Sequence, residues 1–295
     1  MKKEISAAFP FESKFLAVKG SNIHYIDEGE GDPILFLHGN PTSNYLWRNI
    51  IPYLTSKGRC IAPDLIGMGK SGKPDINYGF NDTYAYLEEF IEQMGLKNVT
   101  LVLHDWGSGM GFHYANLHRD NIKAIAMMEA MYDAPTTFDM PRSIRIALKM
   151  MRNPFFGPLL VKRANIFIKK MLPDMILRDL TKEEQAYYAE PYQTAKSRIP
   201  LLEWPKAVPF DGGKPADVAI AVASWAKWLG ETDIPKLLFY VTPGVAIKEK
   251  DMVIIKERLS NLEIVHLGEG LHFIQEDYPH EIGEGISEWY SNLKE

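Results

Sequence analysis

The stretch Asn98-Val-Thr-Leu-Val-Leu-His-Asp-Trp-Gly107 decides the fold of this chain. Its apolar, β-prone first half predicts a buried strand, and the small residues from Gly107 onward predict the start of a helix. A strand, a sharp turn and a helix in this order present the residue at the turn, here Asp105, as a nucleophile. Serine usually occupies that position. Because a carboxylate is already ionised and can attack a saturated carbon, the sequence predicts displacement of a leaving group at sp3 carbon.

Bulk properties place the chain among ordinary globular proteins. Of its 295 residues, 46% are hydrophobic and 24% are charged, and the net charge of −5 gives no electrostatic reason to expect nucleic-acid binding. The single cysteine, Cys60, excludes an intrachain disulfide and fits a reducing compartment. The first ten residues lack the apolar core of a signal peptide, and no apolar run approaches the roughly 18 residues of a membrane span. We therefore expect a cytoplasmic protein.

Strand-like and helical segments alternate along both ends of the chain. The predicted strands are a hairpin over 13–27, followed by 33–37, 59–62, 98–103, 123–128, 236–241 and 262–267. The predicted helices are 43–57, a helix from a cap at Asn81 or Asp82 to residue 95, a helix from Gly107 to about residue 118, 217–229 and a terminal helix. This alternation predicts an α/β fold with a mainly parallel eight-stranded sheet and helices on both faces. Residues 133–212 show helical segments and no clear strand. We therefore expect a core of 1–132 and 213–295, with 133–212 as an inserted helical lid over the carboxyl ends of the strands.

Two further residues are candidates to act with Asp105. His272 follows the last predicted strand, where a general base belongs in this arrangement, and it would take a proton from the water that attacks an Asp105 ester. Glu129 ends the strand 123–128, where it could orient the imidazole of His272 and stabilise its charged form. A glutamate at a strand end can also simply face solvent, and Asp133 is the nearest rival. An aspartate at a helix start can likewise be a plain cap, although the apolar strand before Asp105 favours the nucleophile.

Asn40 and Trp106 carry neutral donors that suit a halide. His38-Gly39-Asn40-Pro41 follows the buried strand 33–37, and the backbone N–H groups of Asn40 and Trp106 would form an oxyanion hole for ester hydrolysis. A simple Gly-Asn-Pro turn is the alternative. The side-chain amide and the indole can each donate a hydrogen bond, but neither can release a proton at neutral pH. Two such donors suit chloride, bromide or iodide as the leaving group better than an alkoxide.

These segments resemble those of the haloalkane dehalogenases in the α/β-hydrolase superfamily, and the similarity covers nearly the whole chain. The segments that carry it are Ile26-Asp-Glu-Gly-Glu-Gly-Asp-Pro-Ile-Leu35, His38-Gly-Asn-Pro-Thr-Ser43, Tyr45-Leu-Trp-Arg48, Pro63-Asp-Leu-Ile-Gly-Met-Gly69, His104-Asp-Trp-Gly107 and His272-Phe-Ile-Gln-Glu-Asp277. The resemblance implies an α/β-hydrolase fold and these roles: Asp105, His272 and Glu129 as the triad, and Asn40 with Trp106 as halide donors. A second branch of the family has an aspartate after the following strand, but 242–248 offer none.

The predicted lid resembles the family less closely. Phe167, Pro205 and Phe273 look like pocket-lining positions, although core packing accounts for them equally well. Between Met140 and Leu172 the chain departs from the family with eight basic residues and no acid: Arg142, Arg145, Lys149, Arg152, Lys162, Arg163, Lys169 and Lys170. The simpler interpretation is the solvated faces of lid helices. The alternative is a surface that draws halide out or rests on an anionic membrane. We expect no membrane contact.

The residues together predict hydrolysis of a haloalkane to alcohol, halide and proton, without a cofactor or a metal. The expected partners are a small halogenated aliphatic substrate, a halide ion and water, with no nucleic acid, and the expected state is a monomer or a weak homo-oligomer. Three alternatives stay open. One is an epoxide hydrolase, for which Tyr187, Tyr188 and Tyr192 are candidate acids. The others are a coelenterazine-oxidising luciferase, whose scaffold shares the His-Asp-Trp-Gly segment, and a ligand receptor without enzymatic activity.

Overall fold

The apolar strand that ends at Asp105 lies near the middle of an eight-stranded sheet. The computed structural model describes residues 4–135 and 142–293. The strands are β1 (Lys14–Val18), β2 (Ser21–Glu28), β3 (Pro33–Leu37), β4 (Arg59–Pro63), β5 (Val99–Asp105), β6 (Ile122–Ala130), β7 (Lys236–Pro243) and β8 (Leu262–Gly270). Their order in the sheet is β1-β2-β4-β3-β5-β6-β7-β8. β2 pairs antiparallel with β1 and β4, and all the remaining pairs are parallel.

Helices follow the strands as the sequence pattern predicts. The α-helices are α1 (Phe80–Gln93), α2 (Trp106–Leu117), α3 (Arg142–Arg152), α4 (Leu172–Asp174), α5 (Lys182–Ala189), α6 (Ile199–Ala207), α7 (Ala216–Glu231), α8 (Met252–Arg258), α9 (Ile274–Asp277) and α10 (Pro279–Ser291). Two short π-helices, Pro158–Arg163 and Phe167–Met171, lie between α3 and α4. In the part of the chain that the structure describes, no helix combines the length and the apolar character needed to cross a bilayer.

Successive side chains of β5 enter different cores on the two faces of the sheet. Leu101 and Leu103 belong to the cluster that contains the buried faces of α1, α2 and α7. Val102 points to the other face, into a cluster that contains Ile286 and Trp289 of α10. Because side chains alternate along a strand, a sheet covered by helices on both faces needs apolar residues at every position. The fold is therefore the α/β arrangement that the continuous apolar run before Asp105 predicts.

Two local predictions are wrong. A single helix over 43–57 is replaced by two short 3-10 helices, Asn44–Trp47 and Ile51–Tyr53. Pro52 has no backbone N–H, and its ring would clash with the carbonyl of Arg48 in a regular helix. The cap of α1 is Gly79 rather than Asn81 or Asp82. Asp82 caps this end from inside the helix, because its carboxylate accepts the Gly79 N–H at 3.3 Å.

Between β6 and α7 the described residues form helices and turns but no strand. We call residues 142–212 the lid segment. The lid that the sequence predicts, 133–212, begins and ends between β6 and α7. Positions 136–141 of this predicted lid are outside the described residues. Within the lid segment α3 packs on α6. The Trp204 ring of α6 in turn lies with its centroid 4.8 Å from that of Trp106 at the start of α2. The lid segment therefore reaches the turn that carries Asp105.

Candidate active site

Asp105 sits on a strained turn between β5 and α2, with φ 48° and ψ −130°. Two glycines allow this turn to approach its neighbours. A Cβ at Gly107 would lie 2.1 Å from the carbonyl oxygen of Leu37, and a Cβ at Gly39 would lie 2.2 Å from Oδ2 of Asp105. Positive φ at a non-glycine residue costs free energy, and such strain is commonly retained where a side chain must be presented. The geometry agrees with a turn that displays a nucleophile.

The two carboxylate oxygens of Asp105 have different surroundings. Oδ2 accepts the backbone N–H of Asn40 at 2.8 Å, and the backbone N–H of Trp106 also bonds the carboxylate. Oδ1 lies 3.4 Å from Nε2 of His272. Burial alone would raise the pKa of Asp105, but the hydrogen bond and charge of His272 and the Trp106 N–H outweigh it and lower the pKa. The carboxylate is therefore ionised, with Oδ2 fixed by the backbone and Oδ1 facing the imidazole.

His272 lies between two carboxylates. Its Nδ1 is 2.9 Å from Oε2 of Glu129, and its Nε2 faces Asp105. Burial opposes a charged imidazole, but the hydrogen bonds to Asp105 and Glu129 outweigh this and raise the pKa of His272 to about 10. The structure thus brings together the three residues that the sequence singles out, and the two carboxylates favour the charged form of the imidazole between them.

Glu129 is buried and held by the loop after β7. Its oxygens accept the backbone N–H of Val245 at 3.1 Å, of Ala246 at 2.8 Å and of Ile247 at 3.4 Å. Glu129 has a positive φ of 44°, a backbone conformation that residues other than glycine rarely adopt. Residues 242–248 contain no carboxylate of their own. Their backbone N–H groups instead hold the carboxylate of Glu129. The rival Asp133 forms an ion pair with Arg258 instead.

His104 lies next to the site, although the sequence does not single it out as a functional residue. It is fully buried, and its Nε2 lies 2.9 Å from the carbonyl oxygen of His272. Its ring centroid is 4.8 Å from that of His272. Burial is the main cause that lowers the pKa of His104 to about 3, and the nearby His272 adds to it. A neutral His104 thus supports the backbone of His272 without adding a second positive charge. A histidine inside a buried strand needs a hydrogen-bond partner, which is the signal that could have indicated it.

Asn40 and Trp106 flank the same carboxylate because their backbone N–H groups both bond it. Trp106 is buried against Trp204. The Oδ1 atom of Asn40 is buried without a hydrogen-bond partner among the described residues. The donors that these two residues can offer to an anion released at Asp105 are the side-chain NH2 group of Asn40 and the indole N–H of Trp106.

The three residues proposed to line a pocket differ in how close to the site the structure places them. Phe273 is nearest, with its ring centroid 4.9 Å from that of His272. Phe167 is buried in the same core cluster as Trp106. Pro205 is buried inside α6, and its neighbour Trp204 makes the ring contact with Trp106.

Of the three tyrosines considered as acids for an epoxide, one donates its hydroxyl to a carboxylate, and the hydroxyls of Tyr187 and Tyr192 are buried without a hydrogen-bond partner among the described residues. Tyr188 donates its hydroxyl to Glu276, and Tyr187 stacks on Tyr45 with ring centroids 3.8 Å apart. Tyr192 is buried, with its ring 5.8 Å from Nζ of Lys73. Within residues 4–135 and 142–293, no group of three or more His, Cys, Asp or Glu side chains is placed to hold a metal ion.

The sheet order and the turn at Asp105 define an α/β hydrolase, and a family model described as alpha/beta hydrolase fold matches residues 32–279. A haloalkane dehalogenase of Sphingobium indicum is 42% identical over 97% of this chain and 98% of its own length. One from Bradyrhizobium diazoefficiens is 37% identical over 98% of this chain and 97% of its own. The crystal structure of haloalkane dehalogenase DbeA from Bradyrhizobium elkani superposes with a TM-score of 0.94 at 37% identity, covering 96% of this chain and 98% of that one. The chain belongs to the haloalkane dehalogenase family.

Proposed function

We propose that this enzyme hydrolyses haloalkanes to alcohol, halide and proton through a covalent ester on Asp105. The observation that carries the proposal is the asymmetric carboxylate: the backbone N–H of Asn40 holds Oδ2, while Oδ1 faces His272 and is the oxygen that attacks. The names of the relatives support the reaction, and the geometry supports the residue roles. The reaction needs no cofactor and no metal ion.

In the first step Oδ1 of Asp105 attacks the carbon that bears the halogen. The new C–O bond forms as the C–halogen bond breaks, and the halide leaves with the electron pair. The side-chain donors of Asn40 and Trp106 stabilise the charge on the departing halide. Oδ2 becomes the carbonyl oxygen of the ester and remains on the Asn40 N–H that already holds it.

The second step depends on the negative charge that Asp105 loses when it becomes an ester. An esterified Asp105 no longer raises the pKa of His272, so the imidazolium releases its proton to solvent and becomes a base. Neutral His272 then takes a proton from water as that water attacks the ester carbon. The negative charge that develops on Oδ2 is stabilised by the N–H groups of Asn40 and Trp106, and Glu129 stabilises the protonated His272. As the intermediate collapses, the bond between Cγ and Oδ1 breaks, and the alcohol leaves with Oδ1. His272 gives its proton to the leaving oxygen and takes up the proton that remains on the attacking water oxygen, which restores Asp105 as a carboxylate.

The proposal also covers the molecules that the enzyme binds, its oligomeric state and the compartment in which it acts. The substrate is a small halogenated aliphatic molecule, and Phe167, Pro205 and Phe273 line the space beside the reacting carbon. Water and the halide ion are the other partners, and nucleic acid is not one. The enzyme acts in the cytoplasm as a monomer or a weak homo-oligomer, and the buried, free thiol of Cys60 suits a reducing compartment.

Trapping of the ester tests the residue roles. The H272F variant should release one equivalent of bromide from a reactive bromoalkane and then stop, with the alkyl mass added to the peptide that contains Asp105. The D105N variant, in which an amide replaces the nucleophile, should release no bromide and gain no mass. Product alcohol formed by H272F without a modified protein would refute the covalent scheme. Halide release measured against diol formation from an epoxide separates this function from an epoxide hydrolase.

A further inference from the structure

The outer surface of α3 presents basic and apolar side chains next to each other. Its basic residues are spaced three or four positions apart and therefore lie on one face of the helix; they are Arg142, Arg145, Lys149 and Arg152. Beside this row, Ile146 and Met150 are 51% and 37% exposed. Met151 is buried, so the helix rests on another face. The exposed side of α3 is therefore both positively charged and apolar.

The turn that follows α3 adds two exposed aromatic rings. Phe155 is 83% exposed and Phe156 is 50% exposed. Asn153 fixes this turn, because its Oδ1 accepts the N–H groups of Phe155 at 2.9 Å and Phe156 at 3.1 Å. Its carbonyl also accepts the Gly157 N–H at 2.8 Å. The rings are therefore projected by a defined turn, and the exposed Leu159 lies in the π-helix that follows it.

This concentration of apolar surface is local. Of the twelve large hydrophobic side chains that are exposed in the described part of the chain, five fall within 146–159. A contiguous exposed apolar patch beside charged residues is a common mark of an interaction surface. We call α3 together with residues 153–159 the basic-apolar surface.

A groove of about 500 Å³ runs along the basic side of this surface. The cations that line it are Arg145, Lys149, Arg152 and Lys214. Arg152 is held in place, since its Nη1 donates to the carbonyl of Val208 at 2.8 Å and its guanidinium lies 5.4 Å from the Phe210 ring centre. No acid occurs between positions 140 and 172, which include three of these four cations, although the whole chain has a net charge of −5. The partner of this surface should therefore combine negative charge with an apolar interior.

We propose that the basic-apolar surface docks on a bilayer that contains anionic lipids. Phe155 and Phe156 enter the interface between headgroups and acyl chains, while the groove cations bind headgroup phosphates. Aromatic insertion and basic attraction together give stronger binding than either alone. A symmetric contact with a second copy is disfavoured, because it would place two basic surfaces against each other. The proposal departs from the expectation of no membrane contact, since the sequence alone does not reveal which aromatic rings are exposed.

Vesicle co-sedimentation of the full-length enzyme tests the proposal without relying on turnover. Vesicles of phosphatidylcholine with phosphatidylglycerol should sediment the protein at low salt, and pure phosphatidylcholine should sediment much less. The F155S/F156S and R145Q/K149Q variants should each lower the partition coefficient at least roughly tenfold. Matched controls are I220S/V253S, which removes two exposed apolar side chains of α7 and α8, and K227Q/K256Q, which removes two lysines of the same helices. The controls should bind like the parent enzyme.

Three results would overturn the proposal: no sedimentation with anionic vesicles, equal losses in the test and control variants, or equal binding to neutral vesicles. Light scattering in the absence of lipid gives a further test. If the parent enzyme is a dimer and the F155S/F156S variant is a monomer, the surface is an interface between two copies of this chain, and the proposal is contradicted. Unchanged thermal unfolding and unchanged dehalogenation of a water-soluble substrate show that a variant is folded. The vesicle result does not depend on the residue roles proposed for catalysis, so either proposal can fail alone.

Discussion

Arg48 and Glu276 form a bidentate ion pair inside the protein, although they are 228 positions apart: Nη1 donates to Oε1 at 2.7 Å and Nη2 to Oε2 at 2.9 Å. Glu276 lies in α9, four residues after His272. The lid segment joins the pair through Glu184, which accepts Arg48 Nη2 at 2.6 Å, and through the hydroxyl of Tyr188. The ion pair thus connects the core, the candidate base and the lid segment.

Removing the charge of Glu276 should destabilise the fold. In the E276Q variant, Arg48 and the neighbouring Arg178 would face the single remaining carboxylate of Glu184. A buried cation that loses every partner typically costs about 3–5 kcal/mol; because Glu184 still pairs with Arg48, we expect the free energy of unfolding to fall by less than that amount, but measurably. Urea denaturation measures it. The exposed pair Lys227–Glu231 supplies a control, because E231Q should leave the urea midpoint unchanged. An E276Q midpoint equal to that of the parent would contradict the assignment.

Replacing Glu129 should impair the second step more than the first. The E129Q side chain is neutral and presents an NH2 group to a loop that itself offers N–H donors, so it neither orients His272 nor stabilises its charged form. We expect steady-state turnover to fall by roughly 10³–10⁴ while the first equivalent of halide is still released. Rapid-quench kinetics separates the two phases. The matched control is D133N, because Asp133 pairs with Arg258, and it should turn over within about twofold of the parent. The reverse ranking would move the acid role to Asp133.

Trp106 should contribute through its indole N–H in addition to its bulk. The W106F variant keeps an aromatic ring against Trp204 but has no donor, and we expect kcat/KM for halide release to fall by about 10²–10³. Trp225 is the comparison, because its indole donates to the carbonyl of Met131 at 3.1 Å. W225F should affect stability more than catalysis. Similar kcat/KM values for W106F and the parent enzyme would exclude Trp106 as a halide donor.

The two chemical steps should respond differently to pH. Because the hydrogen bonds to Asp105 and Glu129 outweigh burial, the pKa of His272 is about 10 in the free enzyme. The carboxylate of Asp105 stays ionised, so the halide burst should be flat from about pH 6 to about pH 9. The ester has lost one negative charge, which lowers the pKa of His272, and alcohol formation should rise with pH as the base deprotonates. Stopped-flow measurement of both phases gives the two profiles. A free-enzyme His272 that titrates by NMR near its ordinary pKa would disprove this account.

The sequence predicts the fold and the central residues because their signals are local. Asp105 and Glu129 lie at the carboxyl ends of β5 and β6, and His272 follows β8. These strands can be recognised from the sequence, and the carboxyl ends of parallel strands share one edge of a sheet. Side chains at these strand ends are therefore expected to lie close together in the folded protein. Family membership in the α/β hydrolases then follows from the same segments.

Other features depend on contacts between distant positions. The Arg48–Glu276 pair has no local signal, since each residue alone would be interpreted as a solvated charge. The role of His104 depends on the carbonyl of His272, which only the folded chain brings near. The error over 43–57 has another cause: the apolar spacing is helical, but the backbone constraint at Pro52 prevails over it.

The fixed Oδ2 of Asp105 has a consequence for the origin of the product oxygen. If Oδ1 is always the attacking atom, the alcohol carries an oxygen that water placed on the enzyme one cycle earlier. After a sudden change to isotopically labelled water, the first equivalent of product would be light and the next would be heavy. If the carboxylate rotated freely between cycles, Oδ1 and Oδ2 would exchange places and light product would continue to form after the first equivalent. The fraction of light product in the second equivalent therefore reports how firmly Asn40 and Trp106 restrain the side chain.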